Sequence, residues 1–382
     1  MGVTMSVTTL TRMAAAGAVA LALATGAVVV PDPAHAESIG QASRSVGIAP
    51  ASPASPASPA SPASPAIESV ALRTKAVSMY GKPRSGLPWH SGIWTGLGMS
   101  AARTAQAERW AGRPFDFTTV YPGYGSWAEM ADSEWTATLM RGYKGRLSYG
   151  LPLLPNNRVG QWNDVLSGRY DYVFRKIAHD LRVNGRGDAA IRVGLEANGN
   201  WFAWGVTADT ADEFRAAFRR VVAIMNRESP ALTFWFDLSA GYGLRGQKNR
   251  MDALTLLYPG DNYVDGVSMD HYDFWELQAK SSLTWAKAMK PTKGPGLADA
   301  AAFARAHHKG FAVPEWGVHG GTGVFAGGDN PYFIQKMHDF FMANRDILVF
   351  ESYFSEPDAY IRNALFSPVQ MPRSSAAYVR LF

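Results

Sequence analysis

Two glutamates stand out by what surrounds them. Glu196 closes the run "IRVGLE" and is followed by Asn198, Gly199, Asn200, Trp201, Phe202 and Trp204. Glu315 lies in "GFAVPEW", a second apolar run, with Trp316 beside it. Two carboxyl groups facing each other across a cleft can break a glycosidic bond: one protonates the departing oxygen, and the other attacks the anomeric carbon or activates water. At roughly 5–5.5 Å separation the outcome is retention through a covalent glycosyl-enzyme. The two acids must then titrate differently. The proton donor needs apolar surroundings and a negative neighbour, and the nucleophile needs hydrogen-bond donors that keep it ionised. The rings after Glu196 fit the same chemistry, because indoles stack on the apolar faces of pyranoses. Asn198 and Asn200 offer amides to sugar hydroxyls. Aromatic burial then carries much of the binding, and a few polar groups set orientation.

Elements must bring these residues together. Apolar runs that read as strands lie at Ser91–Gly98, Phe115–Pro122, Arg146–Leu154, Ala190–Glu196, Thr233–Ser239, Val264–Tyr272, Gly310–Trp316 and Ile347–Phe354. Helical periods separate them. One places Val165, Tyr170, Val173, Ile177 and Leu181 near one face, and another opens with Thr210 as N-cap and Glu213 three residues on. Strand–helix alternation of this kind predicts an α/β fold, a single (β/α)₈ TIM barrel. An open doubly wound sheet is the alternative, but it usually announces a Gly-rich phosphate turn after an early strand. No short repeat suggests a solenoid or a propeller.

In a barrel the site forms at the C-terminal ends of the strands. Strand four ends in Glu196, strand six in Asp270, His271, Tyr272 and Asp273, and strand seven in Glu315. Strands four and seven lie on opposite sides of a narrow mouth, so the two glutamates, 119 positions apart in the chain, are expected to face each other. Arg192 either contacts substrate or balances inward carboxylates such as Asp237 or Asp270. Asp270 and His271 either bind substrate or buttress that network. Of the tryptophans Trp89, Trp94, Trp127, Trp162, Trp235 and Trp275, most are expected to pack the core, with Trp127 in "YPGYGSW" as the cleft member. "GGTGVFAGG", after Glu315, reads as a mobile lid. His307 and His308 read as surface.

The segment "GLEANGNWFAWG" resembles the acid/base segment of glycoside hydrolase family 26, the β-mannanase family of the retaining clan A barrels. That segment runs Arg-x-x-x-Glu-Met-Asn-Gly-x-Trp-Phe-x-Trp, and Arg192, Glu196, Asn198, Gly199, Trp201, Phe202 and Trp204 match it. The resemblance implies that Glu196 is the acid/base. "FAVPEWGV" is similar to the strand-seven segment, which implies Glu315 as nucleophile, and "VDGVSMDHYD" to the strand-six segment, which implies that Tyr272 orients it. Two departures bear on substrate. Leu195 stands where the family usually has His, and Tyr353 and Phe354 stand where a Trp floor is common. The expected substrate contacts are therefore Arg192, Asn198, Trp201, Trp204, Asp270, His271, Trp316, Trp127 and Tyr353. The expected activity is hydrolysis of β-mannan or a related β-glycan. A non-hydrolytic carbohydrate binder and a transglycosylase are the alternatives.

Composition bounds the setting. The chain has 382 residues, 12 Trp, 15 Tyr and no Cys, and its net charge of +5 comes without a dense Lys/Arg block in the globular part, which disfavours nucleic acid. No HExxH, CxxC or carboxylate-rich calcium loop is present, so no metal or other cofactor is implied. Arg12 before the apolar run Met13–Val30, then "AHA" at Ala34–Ala36, reads as a cleaved export leader over residues 1–36. Repeated "ASP" in residues 37–66 is a stiff, extended spacer, because proline at every third position excludes helix and ladder. The globular part then begins near Ile67. The expected protein is a secreted monomer, with no membrane segment after cleavage, which the spacer could hold off a cell wall. Its expected partner is a polysaccharide or oligosaccharide.

Overall fold

The computed structural model describes residues 79–321 and 326–382. The expected leader, the spacer and the centre of the expected lid lie outside the described residues. Eight parallel strands close into a barrel in sequence order: β1 (His90–Trp94), β2 (Phe117–Val120), β3 (Arg146–Leu151), β4 (Ala190–Val193), β5 (Thr233–Ser239), β6 (Gly266–Asp273), β7 (Gly310–Val318) and β8 (Leu348–Phe354). The ring shuts where β1 pairs with β8, from His90 against Phe350 to Trp94 against Phe354. Each strand falls inside or beside an apolar run read from the sequence. The long helices are α1 (Ala101–Ala111), α2 (Asp171–Val183), α3 (Ala211–Glu228), α4 (Leu297–Ala306), α5 (Pro331–Ala343) and α6 (Pro372–Leu381). The arrangement is the (β/α)₈ barrel.

Helix boundaries follow local chemistry. The predicted helical run around Tyr170 breaks in two at Gly168, which takes φ +82°, so a short helix over Asn163–Leu166 precedes α2. Thr210 does not cap α3 with Glu213. Its Oγ1 instead accepts from the Thr207 amide at 3.0 Å, and Thr207 closes the turn from the other side.

Side chains on alternating positions fill the barrel in layers. Phe117, Ala190, Trp235, Ala312 and Phe350 form the bottom, with Phe117 and Phe350 stacked at 4.5 Å. Tyr80 plugs it from below, receiving the Trp235 indole N–H at 3.3 Å. The next layer is polar and small, with Thr119 and Ser352 hydroxyls 2.9 Å apart. Above it, at the C-terminal ends of the strands, the interior turns charged.

Candidate active site

Arg192 is the centre of the upper layer. It follows Ala190 by two on β4, so it points inward, and it has no exposed surface. Its Nε donates to Asp237 on β5 (2.5 Å), one Nη donates to Asp270 on β6, and the other donates to Glu315 on β7 (2.7 Å). One cation thus ties four strands. The expected alternative of an internal ion-pair partner is the one observed. Arg192 and Asp270, expected among the substrate contacts, here have their charges directed to each other and to the neighbouring acids inside the barrel.

Glu315 reaches this layer through a break in strand register. From Ser268/Ala312 to His271/Trp316, β6 advances three residues and β7 four; between Val313 and Trp316, β7 again carries one residue more than β8. Pro314 sits in that interval. It has no N–H for a ladder, and a bulge accommodates it. Strict alternation from inward Ala312 would turn Trp316 inward and Glu315 outward. The extra residue reverses both. Glu315 enters the barrel, and Trp316 goes to the helix layer, where its indole N–H donates to Glu351 (2.6 Å) and its ring lies 6.1 Å from Tyr378. Trp316 is therefore not a cleft residue.

Three donors converge on Glu315: Arg192, Tyr272 Oη at 2.8 Å, and Tyr121 Oη. Tyr272 is the residue that the family resemblance implies would orient Glu315. Tyr121, at the end of β2, was not among the expected site residues. Only its place at a strand end in "TVYPGYG" could have flagged it. Tyr121 packs edge-on against Trp94 (5.1 Å), and Trp94 stacks on Phe354 (5.7 Å), whose ring meets Tyr272 (5.9 Å). Trp94 and Phe354 thus wall the tyrosines that hold Glu315.

Glu196 is placed differently. β4 ends at Val193; Gly194 then takes φ +59°, and a Cβ there would fall 2.7 Å from Leu153 Cδ1. Glu196 itself takes φ +49°, a left-handed conformation that costs a non-glycine residue roughly 1–3 kcal/mol and persists only where its surroundings fix it. The fixing contacts come from residues expected to bind sugar. The Asn198 amide accepts from Ser239 N (2.9 Å) and donates to the carbonyls of Ser239 (2.8 Å) and Tyr242 (2.8 Å). The Trp204 indole donates to Leu195 O (2.9 Å) while its ring stacks on Phe202 (4.3 Å). Both are buried, so Asn198 and Trp204 are corrected from substrate contacts to a clamp on the Glu196 loop.

Only Trp201 of the expected aromatic shelf is half-exposed and in the site. Its indole donates to Glu196 Oε2 at 2.9 Å, and its ring packs edge-on against Tyr242 at 4.8 Å. Glu196 Oε1 is buried and has no protein donor.

Three further expected contacts lie elsewhere. His271 alternates outward from Asp270 and Tyr272; it is fully buried, its ring parallel to Phe333 at 5.7 Å. Tyr353 points into the helix layer, donating to Asn363 O (2.9 Å) beside Trp316. Trp127 stacks on Tyr170 at 4.3 Å and donates to Asp164 (3.4 Å), so it packs against the α2 side. All three are corrected to packing roles.

The charges do not balance. One guanidinium faces Glu196, Asp237, Asp270 and Glu315, all without appreciable exposure. Desolvation of four carboxyls outweighs what one cation can return. Burial pushes the Glu196 carboxyl well above the usual carboxylate range, and the charges of Glu315 and Asp237 push the same way. Burial likewise raises Asp270 strongly despite Arg192, and brings Asp237 up to about 6. The site therefore contains one carboxyl held by three donors and, near enough to feel its charge, one whose environment favours the protonated form.

The model of Glycosyl hydrolase family 26 matches residues 175–302, which run from within α2 to within α4 and include Glu196 and Tyr272 but not Glu315. The chain is 29% identical over 126 residues to Endoglucanase H of Acetivibrio thermocellus, and 33% identical over 90 residues to a mannan endo-1,4-beta-mannosidase of Bifidobacterium adolescentis. Those matches cover 31% and 24% of this chain, but only 13% and 9% of the two relatives' own lengths. A solved modular endo-beta-1,4-mannanase from Cellulomonas fimi shares the fold, with TM-score 0.56 and 17% identity, over 82% of this chain and 76% of that one. The family match thus falls on the segment that carries Glu196, and the barrel is shared with a solved mannanase.

Proposed function

We propose that this protein is a retaining β-glycanase, with Glu196 as acid/base and Glu315 as nucleophile. One observation carries the reading: two buried glutamates, close enough to feel each other's charge, have opposite environments. Glu315 accepts three hydrogen bonds, an arrangement suited to an ionised carboxylate. Glu196 has one donor and a strongly raised pKa, suited to a proton carrier. In the first step Glu196 gives its proton to the departing oxygen while Glu315 bonds the anomeric carbon. In the second, Glu196 takes a proton from water, and that water displaces Glu315. Trp201 holds the Glu196 carboxyl and offers the edge of its ring to the incoming chain. Tyr121, Tyr272 and Arg192 stabilise Glu315 as it regains negative charge on leaving.

The family and the names of the relatives support a β-1,4-linked glycan, mannan first. The pattern of residues 1–36 supports export, which would deliver the enzyme to such a polymer. Among the described residues no helix is long and apolar enough to cross a membrane. The test is a panel of β-mannan, mixed-linkage glucan, xylan and bacterial exopolysaccharides, with the anomeric configuration of the first product followed by proton NMR. Retention in the wild-type protein, and loss of hydrolysis in both Glu196→Gln and Glu315→Gln with the fold intact, is the expected result. Ordinary activity in either variant rejects the assignment.

A further inference from the structure

The β7–β8 ladder slips twice, in opposite senses. From Phe311/Leu348 to Ala312/Phe350, β8 advances one residue more than β7; from Val313/Glu351 to Trp316/Tyr353, β7 advances one more than β8. Two rungs lie between the slips, and Glu351 is on the upper one, where the bulge that carries Glu315 begins. Phe350 and Ser352 face into the barrel, so Glu351 faces the helix layer, and it has no exposed surface there.

Both oxygens of this carboxyl are used. Oε1 accepts from the Ser91 hydroxyl on β1 (2.5 Å), and Oε2 accepts from the Trp316 indole (2.6 Å). Arg113 acts at one remove, donating to Ser91 Oγ (3.0 Å) and to Tyr378 Oη (3.1 Å). Glu351 thus joins β1, β8 and the residue next to the nucleophile in one buried chain of hydrogen bonds. Burial lifts its carboxyl to about 7, against the pull of Ser91, Trp316 and Arg113. An apolar side chain of similar volume would avoid that cost. Packing alone therefore gives no use for a carboxyl at this position.

Its use lies in the choice of which β7 residue faces inward. A one-residue change of register sends every side chain to the other face. Two sets of hydrogen bonds hold the observed choice. Inside, Arg192, Tyr272 and Tyr121 hold Glu315. Outside, Glu351 holds Trp316, whose ring is packed edge-on by Tyr353 (5.0 Å) and Phe341 (5.4 Å). The inner set weakens when Glu315 gives up its charge to a sugar carbon. The outer set lies away from the reaction and holds throughout. We propose that Glu351 is a positioning residue for the nucleophile, acting through the Trp316 indole to keep the bulge that turns Glu315 into the barrel. The inference rests on the role given above to Glu315. Glu351 touches no substrate, so it acts on the rate at which Glu315 bonds carbon and not on sugar binding. A misplacement of about 1 Å in a reacting group can cost on the order of 100-fold in rate.

The test follows labelling of the full chain by 2,4-dinitrophenyl 2-deoxy-2-fluoro β-cellobioside and β-mannobioside. The concentration dependence of inactivation separates the dissociation constant of the reversible complex from the rate of the covalent step. Glu351→Leu keeps the volume and loses the acceptor. It is expected to slow the covalent step about tenfold or more and to leave the dissociation constant within about threefold. Glu351→Gln still offers an oxygen to Trp316 and is expected to recover most of the rate. Trp316→Phe deletes the same hydrogen bond from its other end and is expected to match Glu351→Leu, with the double variant losing no more than either alone. A carboxyl that served stability alone would lower Tm and leave the covalent rate of the folded protein unaltered. That result, or a Gln variant as slow as the Leu variant, overturns the proposal. If Glu351→Leu does not fold, Trp316→Phe decides, and an unaltered rate there overturns it. Unaltered variants beside a wild type labelled at Glu315 leave the catalytic assignment standing. A wild type that neither probe labels at Glu315 overturns both.

Discussion

Replacing Tyr272 by Phe removes one donor from Glu315 and little else, since the ring keeps its contact with Phe354. The hydroxyl lies 2.8 Å from Glu315 Oε2. A hydrogen bond to a charged group contributes about 1.5–3 kcal/mol. The two steps of the proposed mechanism use that bond in opposite ways. In the first, Glu315 loses negative charge as it bonds to carbon, so the donor helps mainly by aiming the carboxylate. In the second, Glu315 departs and recovers its charge, so the donor stabilises the transition state directly. Tyr272→Phe should therefore slow the second step by about 10- to 100-fold, at roughly 1.4 kcal/mol per factor of ten. The glycosyl-enzyme then accumulates: kcat falls, apparent KM falls with it, and kcat/KM changes much less. Stopped-flow measurement with a dinitrophenyl β-glycoside should show a burst of aglycone close to one equivalent, followed by slow turnover. Tyr121→Phe should behave the same way. Unchanged kcat, or a kcat/KM that falls as far as kcat with no burst, would refute the placement of the developing charge on Glu315.

Trp201→Phe removes the donor to Glu196 Oε2 and retains a ring; without that hydrogen bond to its charged form, the Glu196 pKa should rise further, and the basic limb of the kcat/KM–pH profile should move to higher pH. His271 is buried and neutral, its pKa depressed to about 3 by burial, so the unfolded chain binds the extra proton below about 6.5 and stability should fall as pH drops from there towards 3. His271→Phe, which can still stack on Phe333, should reduce that acid loss, seen as a smaller fall in Tm between pH 7 and 4. Arg192→Met strips the cation from a buried cluster of acids and should destabilise the fold by about 3–5 kcal/mol in denaturant titration. Trp204→Ala should lower stability by about 3–5 kcal/mol, as expected for a buried ring whose indole holds the Glu196 loop.

Much of this architecture was readable from residue order. All eight strands follow from apolar runs separated by helical periods, because both faces of a parallel barrel strand are covered. Glu196 was readable because a carboxyl beside Asn-Gly-aromatic residues breaks an apolar run. Its partners were not. Asn198, Trp204 and Trp201 have the types of sugar-binding residues, but the left-handed turn at Glu196 draws Asn198 and Trp204 into holding the backbone and leaves Trp201 beside the acid. Trp316 and Glu315 were distinguishable only through the bulge at Pro314, which exchanges the inward and outward positions of β7. Trp127 and Tyr353 misled for a related reason: a ring near a strand end serves the helix layer as readily as the mouth. Tyr121 carries no local signal beyond its position, since what makes it a site residue is Glu315, 194 positions away.

The most direct test is to trap the covalent step. A dinitrophenyl 2-deoxy-2-fluoro β-glycoside of whichever series the wild type hydrolyses should inactivate the enzyme with release of one equivalent of dinitrophenol. Peptide mapping should then find the sugar esterified to Glu315. A sugar attached to any other carboxylate, or steady turnover of the natural glycan with inversion and no adduct, would contradict the account.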